Sequence, residues 1–185
     1  MNTQGRKVLR RKSFIAMSAI CTTGFGVFAV GVVGSIVVRG PDSDALGVVA
    51  VCLGVIAFIR RITGSRIVLG EKVLTVVNPV FTHDIPYRYV ASVAADSGGN
   101  LIITTSQAVD IGAFGFAGSL VDHFVGSTDR TVAQIKAGLA ERRDLRGDSR
   151  TLRRFTREWV ADGCIVGMLV FFALAGAIGD WAPNA

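Results

Sequence analysis

Two histidines and the aspartates beside them are the residues of this sequence best suited to acid–base chemistry. His83 is followed by Asp84, and His123 is preceded by Asp122. An acid–base pair must reach one substrate together, whereas neighbouring residues on a β-strand point to opposite faces of a sheet. The pattern therefore predicts turn or rim roles for these residues rather than catalysis.

A glycine-rich stretch, residues 112–120, is the second candidate for chemistry. It lacks both the Gly-Lys-Ser/Thr ending of a phosphate-binding loop and the Gly-x-Ser-x-Gly of a hydrolase nucleophile. We expect a mobile apolar loop instead. Two roles stay open for Phe114, Phe116 and Leu120: contact with lipid or a partner, or packing over a domain core.

The three cysteines, Cys21, Cys52 and Cys164, lie in apolar segments and form no Cys-x-x-Cys spacing. In such segments a cysteine behaves as a small hydrophobic residue rather than as a disulfide partner or metal ligand. Two histidines are also too few to indicate a metal site. The sequence predicts no metal, no cofactor and no enzymatic activity.

Three apolar segments dominate the sequence around these candidate residues. Half of the 185 residues are hydrophobic, and the hydrophobic residues are concentrated in these segments. Residues 13–38, 43–62 and 159–178 are predicted to span a membrane, because about 20 helical residues cross the roughly 30 Å of hydrocarbon. The second segment reaches this length when Arg60 and Arg61 snorkel at one interface. In the third, Asp162 lies close to one end, where a charge costs little.

Positive residues give the orientation, because short flanks rich in lysine and arginine stay in the cytoplasm. Residues 1–12 carry five such residues, while the loop after the first span carries only Arg39. Arginines also flank the central region on both sides. We therefore expect the N-terminus and residues 66–143 to be cytoplasmic and residues 179–185 extracellular. A cleaved signal peptide is the alternative interpretation of the N-terminus.

The central region changes to short β-rich runs separated by turn residues, which predicts an antiparallel meander. An amphipathic helix beginning near Ser127 or Asp129 follows, with Val132, Ile135 and Leu139 on one face. Such a helix can close a curved sheet, which favours a small barrel or roll. The predicted strands are residues 67–69, 72–77, 80–85, 89–95, 101–105 and 108–111.

Residues 78–87, Asn-Pro-Val-Phe-Thr-His-Asp-Ile-Pro-Tyr, together with Val90, resemble a signature of the bacterial pleckstrin-homology (PH)-like membrane proteins. The similarity is strongest to the actinobacterial group related to the low molecular weight protein antigen. It extends through residues 113–120 to a helix ending Glu141-Arg142-Arg143, and covers residues 66–143. The resemblance implies a PH-like antiparallel barrel or roll closed by a C-terminal helix, acting as a binding module. The early turns, residues 70–72 and 78–79, lack the lysine and arginine cluster that would hold several phosphates.

Residues 144–158 are predicted to be an arginine-rich juxtamembrane linker, in which each arginine attracts anionic headgroups by about 1 kcal/mol. The candidate contact arginines of this region and of the preceding helix end are Arg142, Arg143, Arg146, Arg150, Arg153, Arg154 and Arg157. Nucleic-acid binding is not expected, because no aromatic stacking residue apart from Phe155 is interleaved with them.

Two functions follow as hypotheses. The first is a membrane-anchored interaction module that presents a cytoplasmic surface to an unknown protein partner. The second is an anionic-lipid-sensing domain that uses the loop and the arginines. Small residues four apart, Ala50 with Gly54 and Gly163 with Gly167, predict close helix packing either within the chain or in a homo-oligomer.

Overall fold

The computed structural model describes residues 7–10, 12–96, 100–116, 127–142 and 151–179. The chain divides into two compact units. The strand domain takes its described residues from 7–12 and 64–156, and the helical unit from 13–63 and 157–179. The α-helices of the described residues are α1 (Lys12–Arg39), α2 (Ser43–Thr63), α3 (Ser127–Arg142) and α4 (Trp159–Gly179).

Among the described residues, three helices, α1, α2 and α4, are long and apolar enough to cross a membrane. At 1.5 Å per residue, α1 is about 42 Å long and α2 and α4 about 32 Å each, against roughly 30 Å of hydrocarbon. The prediction of three such helices is confirmed. Gly40 ends α1 with a positive φ of 98°, and its N–H donates to the carbonyl of Ile36 over 2.9 Å. The Asp42 carboxylate caps α2 by accepting the N–H of Ala45 at 3.3 Å.

Helices α2 and α4 pack through reciprocal glycine contacts. A Cβ added to Gly54 would lie 2.8 Å from Sδ of Met168, and one added to Gly167 would lie 3.0 Å from Cδ1 of Leu53. Each helix therefore fills the space over a glycine of the other, which is how small residues allow close approach in membranes. Ala50 is fully buried, whereas a Cβ on Gly163 would meet nothing within 4 Å. For Gly54 and Gly167 the small residues serve packing within the chain.

Two ion pairs also join α4 and the residue before it to the arginine-bearing end of α2. Arg60 lies 2.9 Å from Oε1 of Glu158, and Arg61 pairs with the carboxylate of Asp162. The other carboxylate oxygen of Glu158 accepts the N–H of Ala161 and so caps α4. Both acids of this helix end are thus neutralised, and the charge of Asp162 is tolerated next to an apolar segment.

Two antiparallel sheets form the described part of the strand domain. Sheet A has the strand order β1-β2-β3-β4-β8, and sheet B the order β5-β6-β7. The strands are β1 (Lys7–Leu9), β2 (Arg66–Leu69), β3 (Val73–Val77), β4 (Phe81–Pro86), β5 (Val90–Ala95), β6 (Leu101–Thr105), β7 (Asp110–Ala113) and β8 (Leu152–Phe155).

One apolar core lies in the strand domain. Alternation places one face of β2, β3 and β4 in it, including Ile67, Leu74 and Ile85, each fully buried. Sheet B adds residues such as Leu101 and Ile103, and α3 packs on this core. The further members from β5, β7 and α3 are Val90, Val93, Ile111, Ala113, Val132 and Ile135.

Strands β2 to β7 match the six predicted strands to within two residues, and their antiparallel pairing is confirmed. The predicted single meander is divided between two sheets, because β4 and β5 do not pair. Within the described residues neither sheet closes on itself, so the expected barrel closure is not confirmed. Strands β1 and β8 were not predicted, because residues 7–9 and 152–155 have the composition of a basic tail and of a linker. These charged segments have no strand pattern of their own, and they form strands by pairing with β2 and β4.

Candidate functional site

His83 and Asp84 lie on β4 and project to opposite faces of sheet A. The carboxylate of Asp84 accepts a hydrogen bond from Oγ1 of Thr75 at 2.6 Å and lies 3.2 Å from Nε of Arg154. His83 is paired with Arg153 on the adjacent strand β8. Burial and, second, the Arg153 guanidinium lower the pKa of His83, and Asp84 opposes them only in part. The two side chains are separate, as the strand spacing predicts.

The glycine-rich stretch, as far as the structure describes it, is a strand end followed by a tight 3₁₀ turn, Phe114–Phe116. Phe116 is 3% exposed and belongs to the core, whereas Phe114 is 46% exposed. A Cβ on Gly115 would lie 2.8 Å from the backbone oxygen of Ser65, so only glycine allows this approach. Phe116 therefore follows the packing alternative, and Phe114 keeps a surface position. Leu120 and His123 lie outside the described residues.

Asn78, in the turn between β3 and β4, ties sheet A to sheet B. Its Nδ2 donates to the carbonyl of Gly112 at 2.8 Å, and its Oδ1 accepts the N–H of Phe114 at 2.8 Å. Its backbone carbonyl accepts a hydrogen bond from Oγ1 of Thr156 at 2.8 Å. The Asn-Pro pair of the sequence signature thus has a structural role that joins the two sheets.

The predicted arginine cluster is spread over several elements. Arg142 ends α3, where only the backbone is described, and Arg143, Arg146 and Arg150 lie outside the described residues. Arg153 and Arg154 lie on β8, in sheet A. In the helical unit, the guanidinium of Arg157 lies 4.2 Å from the ring centroid of Trp159.

An open groove of about 390 Å³ runs between β5 and α3. Its floor includes Val93 and Leu139, and Ala91 and Ala94 of β5 line its side. Of the described residues that line it, Lys136 alone is charged. No sequence pattern predicted this groove, because its lining consists of small residues on an edge strand that carry no recognisable motif.

Tyr87 fixes one end of this groove. Its hydroxyl donates to the carbonyl of Gly70 at 2.7 Å, and its side chain is 2% exposed. Strand β5 is terminal in sheet B, so none of the described strands pairs with its outer edge. The groove therefore lies along a strand whose outer edge is unpaired by the described strands.

The described residues contain no cluster of histidine, cysteine and acidic side chains that could hold a metal ion, and the three cysteines are free. Comparison with protein-family models, with curated proteins and with solved structures finds no match for this chain.

Proposed function

We propose that this chain is a membrane-anchored, PH-like interaction module whose β5–α3 groove binds an extended segment of a partner protein at the inner leaflet. The observation that carries the proposal is the outer edge of β5, which no described strand pairs, beside a mostly apolar groove. A peptide added to such an edge gains main-chain hydrogen bonds, and alternate side chains enter the groove.

Charge indicates which segment fits. Lys136 lies on the rim and the remaining described lining is uncharged, so an acidic side chain of the partner is complementary to it. The small residues Ala91, Ala94 and Ala140 leave room for the partner's side chains. We therefore infer an extended segment that combines apolar residues with an acidic one.

The anchoring follows from the order of elements along the chain. Two residues connect β1 to α1 and two connect α2 to β2, and three connect β8 to α4. Because β1, β2 and β8 belong to one sheet, short connections favour the same membrane side for the three adjoining helix ends. The arginines and lysines near these ends support the cytoplasmic side.

The PH-like assignment is supported by the sequence resemblance together with antiparallel strands β2 to β7 followed by α3 on a shared core. A cytoplasmic binding role agrees with a domain in which His83 and Asp84 do not form an acid–base pair. Homo-oligomerisation through the membrane helices remains a separate prediction.

The test places a photoreactive amino acid at Ala94, in the groove, of the full chain in cells. Thr104 on β6 does not line the groove and is the matched control position. We expect a protein adduct at Ala94 that Ala140→Trp reduces about tenfold by filling the groove. Ala137→Trp, on an exposed position of α3 outside the groove, should leave the adduct unchanged.

Lys136→Glu gives the second arm, because it reverses the only described charge of the groove lining. It should weaken the same adduct, and a partner segment lacking its acidic residue should escape this effect. Adducts with lipid alone, or a protein adduct that Ala140→Trp and Lys136→Glu both leave intact, would contradict the proposed function.

A further inference from the structure

Strand β8 exposes a face of different chemistry from the groove. Phe81 of β4 and Phe155 of β8 are opposite each other and make an edge-to-face contact, with 6.2 Å between ring centroids. The guanidinium carbon of Arg153 lies 3.6 Å from the centroid of Phe81. Register places these three residues and His83 on the same face of sheet A. We name Phe81, Arg153 and Phe155 the β8 patch.

The β8 patch is open rather than covered by the core. Phe155 is 59% exposed, Arg153 is exposed and Phe81 is half-buried. Arg154, on the opposite face, is held by Asp84 and keeps 66% of its side chain exposed. His83 and Asp84 are thus the neighbouring titratable groups, and the acid is already paired with Arg154.

The outer edge of β8 is unfavourable for pairing with a further strand. No described strand pairs with the outer side of β8. Two adjacent arginines on an edge strand oppose pairing with a second copy, because antiparallel pairing would bring like charges together. Exposed aromatic rings next to arginines are instead typical of a surface at the membrane interface, where rings enter the interface and guanidinium groups meet headgroups.

The chain itself limits how far this surface can lie from the bilayer. Phe155 precedes Trp159, the first residue of α4, by four positions, which is a reach of at most about 14 Å. The headgroup layer on each side of the hydrocarbon is about 5–7 Å thick. With α4 as a membrane span, the length of the connection therefore allows Phe155 to reach the headgroups.

We propose that the β8 patch binds the phosphate groups of anionic lipids in the bilayer that holds the chain. Arg153 supplies the charge and the planar N–H donors, and its guanidinium stacks on the ring of Phe81 in a cation–π contact. Phe155 enters the apolar part of the interface. This role goes beyond peptide binding at the β5–α3 groove and uses none of its residues.

The test measures amide hydrogen exchange of the full chain in nanodiscs made of phosphatidylcholine alone or of phosphatidylcholine with phosphatidylglycerol. The peptide covering β8 should exchange about fivefold more slowly with the anionic lipid, as one charge close to the surface provides. Arg153→Gln should abolish this slowing, and Arg153→Lys should retain most of it.

Arg88→Gln is the matched control, because the Arg88 guanidinium also lies over an aromatic ring, 4.6 Å from the centroid of Tyr89. It removes the same charge from the strand domain away from β8 and should leave the slowing intact. Equal loss with Arg88→Gln would show a bulk charge effect and overturn the proposal.

Two further outcomes would also overturn it, and neither needs a variant. One is equal exchange of the β8 peptide in the two lipid compositions. The other is equal slowing by inorganic phosphate added to neutral nanodiscs, which would assign the contact to a free anion. Exchange of the β3 and β6 peptides reports whether each variant is folded, and loss of peptide capture at Ala94 would leave this result unaffected.

Discussion

Strands β5 and β8 each leave one edge unpaired by the described strands, but they differ in every property that selects a partner. Strand β5 carries small, neutral residues and borders a groove under α3. Strand β8 carries two adjacent arginines and an exposed phenylalanine. A neutral edge accepts another strand, whereas a charged edge resists one and favours phosphate. The same kind of edge can therefore serve two different partners in one small domain.

The largest expected effect is a loss of stability when a charge is placed on β5, compared with the same charge on β8. Val93→Asp puts a carboxylate where the native side chain is 3% exposed, and should lower the free energy of unfolding by about 3 kcal/mol or more. Leu152→Asp on β8 should change it by about 0.5 kcal/mol or less, because that position is exposed. Denaturant unfolding of the full chain in detergent measures both. Equal losses would show that the two strands do not differ in burial.

A smaller effect is expected from the link between the sheets that carry these strands. Asn78→Ala removes two hydrogen bonds to β7 and the following turn, and should cost about 1–2 kcal/mol. Amide exchange at Gly112 and Phe114 should rise with it. Asn78→Asp is the conservative control, since it keeps the acceptor for the N–H of Phe114. Unchanged exchange at both amides would contradict the role of Asn78.

The pH response of His83, which lies on β4 opposite Arg153 of β8, distinguishes this edge of sheet A further from β5. The pKa of His83 is lowered by burial and by Arg153, so the unfolded chain takes up a proton first as the pH falls. The strand domain should therefore be fully stable above the ordinary value of 6.5 and lose stability as the pH falls through the folded pKa of His83. His83→Gln should remove this part of the loss.

Arg153→Gln should raise the pKa of His83, because it removes the nearby positive charge. A titration of the histidine ring by NMR measures this, with His123→Gln in the background so that one histidine signal remains. Arg88→Gln should leave the titration unchanged. If the pKa fell after Arg153→Gln, the guanidinium would not be a cause of the lowered value.

The smallest effect is expected at the exposed ion pair of β8. Arg154→Gln breaks the contact with Asp84, yet Arg154 is two-thirds exposed, so the free energy of unfolding should fall by less than about 0.5 kcal/mol. The oxygen of Asp84 that accepts the Thr75 hydroxyl keeps its partner. A loss above about 1 kcal/mol would indicate that β8 depends on this pair for its place in sheet A.

Sequence patterns predicted the elements that bury apolar residues on their own periodicity. Strands β2 to β7 and helix α3 show such a period, whereas the apolar helices were predicted from their length and composition. Strands β1 and β8 were not predicted, because each is short and charged and pairs with a strand that is distant in sequence. The β5–α3 groove escaped for a related reason, since a concave surface depends on which elements meet. Arg153 and Arg154 were predicted as candidate contact residues, but their contacts with Phe81 and Asp84 depend on a register that no local pattern encodes.

The pairing of β1 with β2 has a consequence for how the protein is made. Helices α1 and α2 lie between these strands along the chain, so with both helices as membrane spans Leu9 and Ile67 lie on the same side of the bilayer. A molecule inserted with one helix failing to cross would keep these partners on opposite sides. The sheet would then remain incomplete, with a bare strand for proteases or chaperones to recognise. With both helices as membrane spans, the pairing of β1 with β2 thus requires that α1 and α2 both cross the bilayer or that neither does.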